Sequence, residues 1–171
     1  MSGTALVKVQ GSAEVEVGRG GELIQLVSFL LSNEEYGVEV LKVREIIRMP
    51  SITKMPNTPD YVEGIINLRG KVIPIISMRR RFGLPESDHD GHTRIMVMDV
   101  AGGLTGFIVD GVSEVIRIHS DEIQPPPPMV SGSIDQDFIT GVFNHADRLL
   151  IIMDVDRMFS QDERESLSGI Q

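Results

Sequence analysis

Along most of the chain, apolar residues alternate with polar ones or cluster into short blocks separated by turn-forming residues, the pattern of β-strands rather than of helices. "LIQLVSFLL" (23–31) reads as a strand and "SNEE" (32–35) as the turn before "YGVEVLKVREIIRM". That segment alternates through Val38 and Val40, then slips by one residue to Val43, which predicts a bulge or short helical turn near Leu41 and Lys42. "PSITKMPNTPDYVEG" is a proline-punctuated loop in which Asp60 is placed to cap one turn of helix. In "GIINLRGKVIPIIS" two strands flank a turn at Asn67-Leu68-Arg69-Gly70, and "SMRRRFGL" follows as a short helical piece. "PESDHDGH" (85–92) is a polar linker. Beyond it, "TRIMVMDV" is a strand, "AGG" a turn and "LTGFIVDGVSEVIRI" a strand pair. "DEIQPPPPMVSGSIDQD" is a long loop whose four prolines favour polyproline II. "FITGVFNHADRLLIIMDV" repeats the hairpin pattern, and Ser160 with Glu163 forms a capping box for a short exposed helix. Residues 1–21, small, polar and glycine-ended, are expected to be a mobile leader, with order beginning at Glu22.

An internal duplication underlies this pattern. "YGVEVLKVREIIR" matches "TGFIVDGVSEVIR", aligning Gly37 with Gly106, Val43 with Val112, Glu45 with Glu114 and Arg48 with Arg117. "GIINLRGKVIPIISMRRRF" matches "GVFNHADRLLIIMDVDRMF", aligning Gly64 with Gly141, Asn67 with Asn144, Ile75 with Ile152 and Phe82 with Phe159. The offset grows from 69 to 77 between the two blocks, placing an eight-residue insertion near the proline run. Each copy holds about five short strands, too little sheet for a sandwich but enough for a small barrel, which also removes unpaired edges. The expected fold is all-β: two five-stranded β-barrel subdomains packed side by side around a shared apolar layer, with short helical pieces. The expected organisation is a leader (1–21), barrels at 22–88 and 89–159 whose terminal strands exchange, and a tail (160–171). The copies part at one hairpin tip, where Leu68-Arg69-Gly70 faces His145-Ala146-Asp147. The turn does not require Arg69, which makes that side chain a candidate for function.

Composition narrows the functional classes. The chain has 171 residues, no cysteine and no tryptophan, so aliphatic residues build the core and thiolate chemistry is excluded. No segment approaches the roughly 18 apolar residues of a membrane span. A net charge of −9 argues against nucleic acid as a partner. From Lys42 to Arg81, however, nine basic residues face three acidic ones, which suggests a basic docking face on an acidic body. No phosphate-binding loop or nucleophile elbow is present, and "HDGH" matches no standard ligand spacing, so neither a metal nor a cofactor is expected. Asp154 and Asp156 alternate on a strand, but acid–base work would need a pocket that the sequence does not reveal. A protein-binding surface accounts for these residues better than an active site.

In combination, "EEYGVEVLKVREI", "MPNTPDYVEGIINLRGKVIPI", "FIVDGVSEV" and "FITGVFNHADRLLIIMDVDRMF" resemble the CheW-type coupling proteins of bacterial chemotaxis, over about Leu23 to Phe159. The resemblance implies two SH3-like barrels and no catalysis. It also implies a bridge between the cytoplasmic tip of methyl-accepting chemoreceptors and the regulatory domain of the histidine kinase CheA, in arrays at the inner face of the cytoplasmic membrane. By the same resemblance Val43 and Glu45 lie near the kinase contact, and Arg69 serves receptor coupling. Val112 and Val115 match an apolar groove for the receptor's helical tip, and Ile95 joins them. Arg94 stands where an aliphatic residue is expected. Two alternatives stay open at this level: the same adaptor role in another chemosensory pathway, such as pilus motility, and a small-ligand module using the cleft between barrels.

Overall fold

The computed structural model describes residues 6–8, 14–16, 21–126 and 138–170. Within the expected leader, β1 (Leu6–Lys8) pairs antiparallel with β2 (Glu14–Glu16), so regular structure starts before Glu22. Residues 127–137, which include half of the proline run and the polyproline expectation placed on it, lie outside the described residues. β3 (Leu23–Leu31) and β4 (Glu34–Glu39) form a hairpin, and a 3-10 turn at Val40–Lys42 leads into β5 (Val43–Arg48), where the alternation slips. After the loop, β6 (Val62–Leu68), β7 (Lys71–Ser77) and helix α1 (Met78–Arg81) follow. The second copy runs β8 (Arg94–Val100), β9 (Gly103–Val109), β10 (Gly111–His119), β11 (Ile139–His145), β12 (Arg148–Met153) and a 3-10 turn, Val155–Met158. Helix α2 (Gln161–Ile170) ends the fold, opened by the expected box: Ser160 Oγ accepts from the Glu163 amide, and the Ser160 amide donates to Glu163. Asp60 caps no helix; the chain there only turns, and its carbonyl accepts from Arg80.

Two five-stranded sheets, ordered β5-β8-β9-β7-β6 and β10-β3-β4-β12-β11, curl into SH3-like barrels. The contiguous division at residue 88 does not follow them. Each barrel takes three strands from one copy of the repeat and a two-stranded hairpin from the other. The connectors supply the reason. Three residues separate β4 from β5 and one, Asp110, separates β9 from β10, so the chain runs straight on into the other sheet. The exchange closes on parallel pairings that repeat the internal alignment, Ile75 opposite Gly106 and Ile152 opposite Gly37.

Strand alternation then divides the core into three. In β8, Ile95 and Val97 fill the first barrel with Ile66, Ile73 and Ile75, while Met96 and Met98 point the other way. Leu26, Ile116, Ile118, Leu150 and Ile152 fill the second barrel. Between the barrels lies a shared layer built from both sheets, including Phe29, Val38, Met96, Phe107 and Phe159, and α2 seals it with Leu167.

Candidate docking surfaces

The hairpin tip that differs between the copies is a tight left-handed turn in both. Arg69 has φ +52° and Gly70 +88°, while Ala146 and Asp147 take +49° and +66°. Asn67 stabilises the first turn by accepting the Gly70 amide at 2.7 Å. Opposite this tip, β5 carries a bulge between Val43 and Glu45. β5 and β6 are opposite edges of one sheet, and curling brings the tip to β5, where the Arg69 guanidinium meets Glu45 through both of its terminal nitrogens, Nη1 at 3.3 Å from Oε2. The Arg69 side chain is 72% exposed and that of Glu45 29%. The hydrogen bond from Arg69 holds the Glu45 carboxyl below the usual carboxylate range and raises Arg69 in return.

The second barrel repeats this arrangement with other side chains. β10 bulges between Val112 and Val115, and Glu114, the equivalent of Glu45, lies 3.2 Å from His145 Nε2 at the β11–β12 tip. The buried Ser28 hydroxyl braces that bulge, accepting the Glu114 amide and donating to its carbonyl, both at 3.2 Å. In each barrel, therefore, a bulge glutamate clasps a basic residue at the hairpin tip. The first barrel uses a permanent cation for this and the second an imidazole.

Among the residues singled out from the sequence, Glu45 and Arg69 are joined directly, and Val43, half-buried two residues away, rests on the shared layer. Val112 also packs on that layer, opposite Phe29, and Val115 is 55% exposed on the edge strand of the other barrel. The structure thus groups Arg69 with the residues expected near the kinase rather than with Val112 and Val115. Ile95 belongs to neither group. It is fully buried inside the first barrel, where its Cγ2 would lie 2.7 Å from a β-carbon on Gly106, so it offers no surface to a partner. Its neighbour Arg94 folds its guanidinium back onto the carbonyls of Gly91 and Thr93.

Three further exposed aliphatic residues, Ile46, Val72 and Leu149, escaped the sequence reading, although the duplication marks them. Ile46 is the equivalent of Val115, and Val72 that of Leu149; all four are exposed. The basic face expected between Lys42 and Arg81 is largely neutralised within the fold. Lys42 bonds Asp156, Arg44 bonds Asp99, Arg79 bonds Asp110 and Arg80 bonds Glu86. Arg81 lies over the rings of Tyr61 and Phe159 and reaches Glu163. Most of the acidic partners lie beyond the segment in sequence, so the greater part of its positive charge is paired within the fold, and Arg48, Lys54 and Lys71 remain exposed.

Two edge strands, a glutamate clasp on each barrel and exposed aliphatic residues beside them mark a duplicated SH3-like module. Among the described residues no group of acidic or histidine side chains could hold a metal, and no helix is long and apolar enough to cross a membrane. Residues 25–163 match the CheW-like domain family. The chain is 34% identical to the chemotaxis protein CheW of Klebsiella aerogenes over 146 residues, covering 85% of this chain and 87% of that one. It is 33% identical to the CheW of Treponema pallidum over 153 residues, 87% of this chain and 89% of that one. The crystal structure of the scaffolding protein TtCheW from Thermoanaerobacter tengcongensis superposes with a TM-score of 0.74 at 39% identity, covering 82% of this chain and 94% of that one. The chain belongs to the CheW family of chemotaxis coupling adaptors, and it is not an enzyme.

Proposed function

We propose that this chain couples chemoreceptors to the kinase CheA through two separate faces, one on each barrel, within receptor arrays at the inner face of the cytoplasmic membrane. The first face is the β5 edge with Val43, Glu45 and the exposed Ile46, closed by Arg69, and it receives the kinase's regulatory domain. The second is the β10 edge with Val112 and Val115, and it receives the helical tip of a receptor. The observation that carries this reading is the Arg69–Glu45 clasp, which unites two residues distant in sequence at an edge strand whose apolar neighbour is exposed. An arginine presented at such an edge is the kind of side chain on which protein interfaces concentrate their binding energy once it is covered. Arg69 then affects receptor coupling by way of the kinase face.

Pull-down of the purified chain with a kinase regulatory fragment and, separately, with a receptor cytoplasmic fragment tests the division. Arg69→Ala should lose kinase binding and retain receptor binding, and Val115→Asp should do the reverse. Loss of both partners in either variant, with the fold intact, would show that there is a single composite face.

A further inference from the structure

The open ends of the two barrels, related by the duplication, have been finished differently. In the first barrel the end is stoppered. Arg79 lies across it in a bidentate pair with Asp110, at 3.0 and 2.6 Å, and its Nη1 also donates to the Pro85 carbonyl. The space left beside Ser77, Thr93 and Ile108 is only about 30 Å³, and outside it lies a wider depression of about 620 Å³ along Glu63 and Glu86–His89, open to solvent and polar, with no apolar floor. In the second barrel, Asp156 stands where Arg79 stands in the first, Ile24 replaces Thr93 and Glu39 replaces Ile108. Here the end is a cavity of about 360 Å³, within the range that accepts small molecules. Its floor is aliphatic, made by Ile24, Leu26, Ile123 and Ile152, and its rim is acidic.

The rim charges are not equivalent. Lys42 and Asp156 are bound to each other, and the hydrogen bond that the Lys42 ammonium donates to Asp156 raises it, so that it stays charged and committed. Asp154 accepts the Asp156 amide at 2.9 Å, lies 3.8 Å from the exposed Arg157 and shares the charge of Lys42, so Glu39 is the less committed carboxylate of the two. The exposed Glu39 side chain has no hydrogen bond or ion pair among the described residues. An apolar floor below an uncommitted carboxylate matches a ligand with an aliphatic or aromatic body and one cationic end. An anion would meet Glu39 and Asp154 and find the only rim lysine already taken.

We infer that the mouth of the second barrel is a binding site for a small amphipathic amine, its body against Ile24, Leu26, Ile123 and Ile152 and its ammonium at Glu39 and Asp154. The site is independent of the docking faces proposed above. Titration of the isotope-labelled full chain with n-hexylammonium, followed by amide chemical shifts, tests it directly, with 1-heptanol and hexanoate as probes of similar length. The expected result is saturable shifts confined to the neighbourhoods of Ile24, Val38, Thr140 and Ile152, with about tenfold weaker binding of the alcohol, the size expected for losing one charge-assisted contact. Hexanoate should give none. Glu39→Gln should weaken hexylammonium by about the same factor, and Ile24→Phe, which fills the mouth, should abolish it. The unfolding midpoint of each variant is measured in parallel, and if Ile24→Phe does not fold, Glu39→Gln carries the test. Failure to saturate by about 20 mM, weaker than the millimolar affinity a ligand this small can reach, would overturn the site, as would shifts centred on Ile46 or Leu149. Equal binding of hexanoate would overturn its preference for cations.

Discussion

At the scale of single residues, position in the barrel decides what a charge or hydroxyl contributes. Arg69 and Glu45 are solvent-exposed partners, and exposed ion pairs add little to stability. Arg69→Ala is therefore expected to leave the thermal unfolding midpoint almost unchanged while the Glu45 carboxyl, followed by NMR, returns upward to the ordinary carboxylate range. A large drop in the midpoint would show that the clasp is structural. Ser28 is the opposite case. Its hydroxyl is buried and satisfies both backbone groups of the Glu114 bulge, and its equivalent in the first barrel is the apolar Val97. Ser28→Ala should cost about 1–2 kcal/mol in denaturant unfolding, the loss of two hydrogen bonds at a part-buried bulge. The arginine of the tip was legible in the sequence because the two copies differ there. Its partner was not, because twenty-four residues separate Arg69 from Glu45 and only the curl of the sheet joins them.

At the scale of elements, the glycines shared by the two copies are explained by what crosses them. A β-carbon on Gly64 would lie 2.2 Å from the Thr53 carbonyl oxygen, where the incoming loop bridges to Ile65. On Gly141 it would meet Ile123 at 2.4 Å and the Gln124 carbonyl oxygen at 3.0 Å, where the equivalent loop bridges to Val142. Gly106 instead faces side chains, Ile75 Cδ1 at 2.6 Å and Ile95 Cγ2 at 2.7 Å. Side chains yield more readily than backbone. Gly106→Ala should therefore cost about 1–3 kcal/mol by overpacking, and Gly64→Ala more, as read from the midpoints of urea unfolding. Equal costs would mean that the loop at Thr53 moves freely. The strands and turns themselves were readable from alternation and turn residues. The helical turn expected at Asp60 was not formed, because a capping residue marks a helix only where a helical apolar stripe follows it, and here β6 begins at Val62.

At the scale of the whole molecule, the two barrels depend on each other. A fragment of residues 22–88 would carry β3 and β4 without the strands that flank them in the second sheet, and β5 without its only sheet neighbour, β8. Such a fragment is expected to remain unfolded, with a collapsed amide spectrum; a dispersed native-like spectrum would refute the exchange. The shared layer is closed by α2 through a polar network, in which the Tyr61 hydroxyl donates to Glu163 and Arg81 lies over the Tyr61 ring. Burial, followed by the charge of Glu163, pushes the Tyr61 phenol up to about 12. Because its folded value is raised, its contribution is complete below the ordinary phenol value of about 10 and is lost as pH rises toward about 12. Glu163 has the opposite sign. Burial pushes its carboxyl up, but the Ser160 amide, the charge of Arg81 and the Tyr61 hydroxyl outweigh that and hold it low. Its share is present above the usual carboxylate range and is lost on acidification. Unfolding midpoints across alkaline pH should fall in the parent chain and fall less steeply in Tyr61→Phe, the remaining slope coming from Tyr36, whose phenol burial also raises.

By itself the sequence determined the strands, the duplication and the absence of thiol chemistry, because alternation, turn chemistry and composition are local properties. It also marked the docking residues to the extent that the two copies differ or agree. Only the tertiary structure decided which strands share a sheet, that Ile95 faces inward while Arg69 bonds Glu45, and that the basic segment is neutralised by distant carboxylates. It alone showed that, among the described residues, one barrel mouth is plugged by an ion pair and the other holds a cavity. Each of these depends on which residues meet after three-residue and one-residue connectors send the chain from one sheet into the other, and periodicity along the chain carries no record of that meeting.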